Sequence, residues 1–176
     1  MDIESGNATP EESELLAAPP SRDVLIAARQ VLADFGYTAA AVRTLLAARG
    51  DILADAGQRP VVRRRLEQST DPAAALVKLL IVEDALETST AEERLGAKAV
   101  DALVAARLLR RNAAWIEPTA RVVPHSAPGE DLMLASDPSS QLGRPDVVPG
   151  VQNPSRTLAD LTPRRRVMRA LDVGTG

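Results

Sequence analysis

One Trp, one Tyr and one Phe in 176 residues leave almost no aromatic mass for an interior, so the core must be built from Leu, Val, Ile and Ala. Such side chains suit closely packed helices better than a β-sandwich, whose strands favour aromatic and β-branched residues. Hydrophobic residues make up 45% of the chain, enough for a core, and the length fits one ordinary domain or two small ones. The expectation is a mainly α protein.

The formal net charge of -3 hides two unlike ends. Residues 1–15 hold acids and no Lys or Arg, whereas residues 143–176 are rich in Arg. The acidic start, with its Pro and Ser, cannot bury enough apolar surface to offset its ordering entropy, so residues 1–21 are expected to be disordered. The absence of cysteine excludes a disulfide framework, a thiolate zinc site and a cysteine nucleophile in this stretch, and it fits a reducing compartment. Nothing resembles a secretory signal, and no segment approaches bilayer-spanning length. The expectation is a cytoplasmic protein with no membrane contact and no metal.

Hydrophobic spacing places the elements. Over residues 23–35, Val24, Ala28, Val31, Leu32 and Phe35 share one helical face, and Gly36 closes the helix. Thr38 caps a second helix reaching residue 49, with Val42, Leu45 and Leu46 inward. A short basic segment spans residues 61–68. Asp71-Pro72 supplies a cap and an N1 proline for a helix over 73–86, apolar nearly all round and therefore the most buried. Thr90 and Glu93 form a capping box for a helix to residue 109, with Leu95, Ala99, Ala102, Leu103 and Ala106 inward. Residues 115–123 and 131–136 read as strands of one hairpin, turning at Ser126-Ala127-Pro128-Gly129, with Pro118 weakening the first. Helices followed by a hairpin are the order of a winged helix, here over residues 22–137.

From 138 to 149 the Asp, Pro, Ser and Gly content marks a linker or surface loop between two units. Asn153-Pro154 starts a short helix that Thr162-Pro163 ends, and Arg164-Arg165-Arg166 leads into an apolar run bounded by Gly174. That run, Ala170-Leu171-Asp172-Val173-Gly174-Thr175-Gly176, is a strand entering a glycine turn. Glycine lets the backbone turn sharply and approach a ligand where a Cβ would collide. In a Rossmann-like sheet this turn lies at the carboxyl end of the first strand, where ligands bind.

The segment resembles motif I of the class I S-adenosylmethionine-dependent methyltransferases. Residues 149–164 resemble the approach helix and linker before motif I in small-domain and release-factor glutamine methyltransferases, with a departure at Gln152, Asn153 and Pro154, where the family carries Gly and Ala. The helical region, Val122-Val123-Pro124-His125 and Leu132-Met133-Leu134-Ala135-Ser136-Asp137 resemble the N-terminal domain of an actinobacterial methyltransferase group. The likeness covers most of the chain, and only its motif I portion is specific. It implies the front part of such an enzyme, ending inside motif I, with residues 150–176 as the start of a Rossmann-like α/β domain. It further implies that Asp172, Gly174 and Gly176 contact S-adenosylmethionine, with the backbones of Val173 and Thr175 as weaker candidates. The family's later small residue and glycine, its ribose-binding acid and its Asn-Pro-Pro-Tyr-like motif are not in this sequence, so no catalytic residue is named and the chain alone is expected to be inactive.

The remaining polar features have plainer readings. His125, the only histidine, lacks the partners of a metal or base site. Trp115 covers a hairpin edge, since one aromatic makes no stacking platform. Arg63-Arg64-Arg65 and Arg110-Arg111 read as solvated faces or caps, while Arg164 to Arg166 is the better candidate for an anionic substrate. The leading function is thus a methyltransferase whose N-terminal domain positions RNA or a glutamine of a translation-factor protein. A winged-helix nucleic-acid-binding regulator without activity is the alternative, with residues 90–109 reading the groove and the hairpin as wing. A protein-interaction domain is a third.

Overall fold

The structure, a computed structural model, describes residues 18–47, 59–127, 130–144, 147–151, 157, 158 and 161. The expectations for residues 1–17 and for the strand and glycine turn at the C-terminal end lie outside these. Within them the protein is helix-rich with small antiparallel sheets.

Ser21 Oγ accepts the Val24 amide at 3.4 Å and opens α1 (Arg22–Asp34), which buries Ala28 and Leu32 and half-buries Val24 and Val31. Gly36, at φ +63, turns the chain without the Cβ penalty of the left-handed region. Thr38 Oγ1 then accepts the Ala41 amide at 3.2 Å to cap α2 (Ala39–Leu46). A second cap, this one a carboxylate, arrives from far along the chain, Asp131 Oδ2 accepting the Ala39 amide at 2.6 Å. The helix ends at Leu46, where Ala47 takes a left-handed conformation at φ 49, and the expected last positions, 48 and 49, lie outside the described residues.

The basic helix α3 (Arg59–Gln68) turns Leu66 into the core. Asp71 Oδ1 accepts the Ala73 amide at 2.8 Å ahead of α4 (Ala74–Leu80), in which every residue except Lys78 is buried. This is the central helix, as its all-round apolarity predicts, but it ends six residues short of the expected residue 86. The Ile81 and Val82 amides both bond Val77 O, the Asp84 amide bonds Lys78 O, and Glu83 at φ +62 reverses the chain. The reversed chain enters the two-residue strand β1 (Leu86–Glu87).

The single helix expected over 90–109 is two. α5 (Thr88–Leu95) and α6 (Ala97–Ala105) are separated by Gly96, and the predicted Thr90 capping box is not used, since Thr90 lies inside α5. Gly96 sits at φ +80, ψ 144, a conformation almost confined to glycine. No atom lies within 4 Å of where a Cβ would be, so the constraint is in the backbone alone. Gly96→Ala should therefore lower unfolding free energy by about 1–3 kcal/mol, measured by urea denaturation. A neutral substitution would show that the break is set by packing instead.

After α6 the chain forms β2 (Leu109–Asn112) and β3 (Trp115–Pro118), joined by a tight turn with Ala113 at φ 49. β3 is central in an antiparallel sheet of order β1-β3-β2. Residues 115–118 therefore do not pair with 131–136, as the sequence suggested. The second hairpin is β4 (Arg121–Ala127) with β5 (Glu130–Ser136), in register Val123 to Leu134 and His125 to Leu132. The core runs through both sheets: Leu76, Leu79 and Leu80 of α4 are fully buried together with Leu103, Ile116 and Val122. Tyr37, fully buried, donates its hydroxyl to Val122 O at 2.6 Å and ties the α1–α2 turn to the second hairpin.

Candidate functional site

The residues singled out for cofactor binding, Asp172, Val173, Gly174, Thr175 and Gly176, and the basic Arg164 to Arg166 lie outside the described residues. Two surfaces within them collect polar chemistry.

The first is formed by α5, α6 and the β2–β3 hairpin. Val100 and Leu103 hold α6 to the core and α1 packs along it, leaving Ala97, Lys98, Asp101 and Ala105 exposed. Arg111 reaches from β2 to Asp101 Oδ1 at 2.8 Å and Glu92 Oε1 at 2.9 Å, bridging both helices. Its hydrogen bonds to Asp101 and Glu92 hold it even more firmly in the charged form. Arg110 bonds Glu117 Oε2 at 2.8 Å across the hairpin, and Asn112 donates to the other oxygen at 2.8 Å. These bonds, Arg110 first and Asn112 second, hold the Glu117 carboxyl below its ordinary value. The arginines of the hairpin thus face acids of their own module, and their net field on a polyanion is small. Trp115, 45% exposed, stands opposite Glu87 and Asn112.

The second is an open cleft of about 700 Å³ among Arg63, Glu83, Asp84, Glu117, Ser139 and Ser140. Arg63 donates from two nitrogens to both oxygens of Asp84, a pairing that favours its charged form. Glu83, with a side chain only 7% exposed, accepts the Ser139 amide at 3.0 and 3.1 Å and the Ser139 hydroxyl. Arg121 Nε lies 2.9 Å from Glu83 Oε1, an ion pair in which the N–H is not aimed at the oxygen. Each carboxylate of the cleft is engaged by a neighbour, so the lining holds segments together and presents no idle base. Sequence reasoning missed Glu83, Asp84, Arg121 and Ser139, which come together only through the fold; Glu83 and Ser139 stand 56 positions apart.

Of the other residues weighed from sequence, His125 is half-buried on β4, and Arg64 and Arg65 are exposed on α3. Among the described residues no group of three or more His, Asp or Glu could hold a metal ion, and no helix is long and apolar enough to cross a membrane. Comparison with known proteins returns no match to a family model, a curated protein or a solved structure.

Proposed function

We propose that this chain is the front part of a class I S-adenosylmethionine-dependent methyltransferase, in which a winged-helix module precedes a Rossmann-like catalytic domain beginning near residue 150. The observation that carries the reading is the run Leu171-Asp172-Val173-Gly174-Thr175-Gly176, a strand pattern entering a glycine turn with an acid at the strand end. The module is read as a winged helix because α5 and α6 are joined at Gly96 and followed by a hairpin that completes a sheet of order β1-β3-β2. It would position RNA or a protein glutamine for methylation in the cytoplasm, with S-adenosylmethionine as cofactor and neither membrane nor metal involved.

The same helix pair and hairpin favour a second reading, a nucleic-acid-binding regulator without activity. The acids engaged by Arg110 and Arg111 weigh against it, because phosphate contacts need cations whose charge is not already balanced.

Calorimetry on a chain extended in its own reading frame past Gly176 tests the proposal. The extended protein should bind S-adenosylmethionine, and Asp172→Ala or Gly174→Val should each weaken binding by roughly tenfold or more. A branched side chain at Gly174 would stand where the backbone must approach the cofactor, while Asp172 supplies the polar anchor. Undiminished binding by the Gly174→Val protein would remove the motif I assignment and leave the regulator.

A further inference from the structure

The segment following β5 has the composition of a linker, yet contacts at both ends hold it against the module. At its start the Ser139 amide and hydroxyl donate to the buried Glu83 carboxylate, the same group that pairs with Arg121 of β4. Pro138 is buried, and a short 3₁₀ turn, Ser139–Gln141, follows. Farther along, the chain returns to the end of β5: the Asp137 amide donates to Val148 O at 3.1 Å, and the Val148 amide donates to Asp137 Oδ2 at 2.6 Å. Gly150 approaches Ser136 so closely that a Cβ there would lie 3.1 Å from its hydroxyl. Glu83 holds a left-handed conformation that a non-glycine residue keeps only where its surroundings fix it. Those surroundings include the bonds to the segment, the Arg121 pair and the backbone bonds of Val82 and Asp84 to α4.

We propose that residues 137–144 and 147–150 form a fixed strap, latched at one end by Glu83 and at the other by Asp137, that sets the direction in which the chain leaves the helical module. A composition-based linker would let a following unit tumble freely; a strap closed on the module presents it in one orientation. The inference rests on contacts within the described residues and is independent of the cofactor assignment, so either can fail without the other.

Two measurements on the whole chain test it. With no native cysteine, Lys98→Cys on α6 and Val148→Cys on the strap can carry paired spin labels. Val148 is 62% exposed and its hydrogen bonds to Asp137 come from its backbone, so labelling should not disturb them. A narrow distance distribution is expected, broadening when Asp137→Ala is added. In hydrogen exchange the Ser139 and Val148 amides should be protected. Glu83→Ala should cut protection at Ser139, and Asp137→Ala at Val148, by roughly tenfold to a hundredfold, as for loss of a hydrogen bond to a charged acceptor. Glu83→Ala also strands Arg121 and lowers the stability of the whole molecule. Asp137→Ala spares that pair and keeps the test decisive, with the Leu103 amide remaining protected. A broad distribution in the labelled but otherwise unaltered chain, or exchange of both strap amides at the rate of an unstructured peptide, would overturn the proposal.

Discussion

Leu103→Ala should lower the free energy of unfolding by about 2–5 kcal/mol. Leu103 is fully buried on α6, the helix against which α1, α5 and β2 all pack. Replacing its isobutyl side chain with a methyl loses the transfer free energy of the three missing carbons and leaves a void whose walls relax only in part. Collapse is hindered because many buried residues of this core are alanines, among them Ala28, Ala91 and Ala106, whose methyl groups cannot reach into the space. Lys98→Ala, on the exposed stripe of the same helix, should change stability by no more than about 0.5 kcal/mol and serves as control. Urea denaturation followed by circular dichroism measures both. A loss below about 1 kcal/mol at Leu103 would mean that the surrounding helices close the gap.

A second large effect is expected in alkali. Tyr37 is wholly buried, and desolvation holds its hydroxyl well above the ordinary value of 10.0, outweighing the opposing pull of Arg121. In the unfolded chain the same hydroxyl loses its proton near pH 10. The folded state therefore binds more protons than the unfolded state above that point, and stability must fall as pH rises. The contribution of Tyr37 is fully present below about pH 10 and is lost toward the folded pKa, with a slope of about 1.4 kcal/mol per pH unit. Because Tyr37 is the only tyrosine, tyrosinate absorbance should appear together with unfolding and not before it. Tyr37→Phe should remove this slope while costing about 1–3 kcal/mol near neutrality, since Val122 O loses its donor. Ionisation in the native state, ahead of any change in circular dichroism, would contradict the assignment.

Local features were the legible ones in the sequence. Val24, Ala28, Val31 and Leu32 repeat at helical spacing and Thr38 is a cap whose partner lies three residues away, and these features are found where expected. Asp71 binds the Ala73 amide in the turn before α4 and does not cap that helix. The division at Gly96 was not legible, because Leu95, Ala99, Ala102 and Leu103 keep helical spacing straight across a residue whose backbone leaves the helix. β2 escaped for a different reason: Leu109 is its one buried residue, and Arg110, Arg111 and Asn112 are all exposed, so there is no alternation to detect. The early end of α4 depends on Glu83, whose left-handed turn is tied to a serine 56 positions away. The candidate cofactor residues stand the other way round. Asp172, Gly174 and Gly176 are legible as a motif, and they lie beyond the described residues.

The placement of α1 restricts how any double-stranded partner could dock. An α-helix with its side chains is about 10–12 Å across, nearly the width of a B-form major groove at about 12 Å. Two helices packed at an interaxial distance of about 8–10 Å make a face close to 20 Å wide. With α1 packed against α6, the pair cannot enter a groove together, and only the exposed stripe of α6, Ala97, Lys98, Asp101 and Ala105, is left to face one. That stripe carries one cation and one acid, the acid already held by Arg111, so it offers a phosphate backbone little.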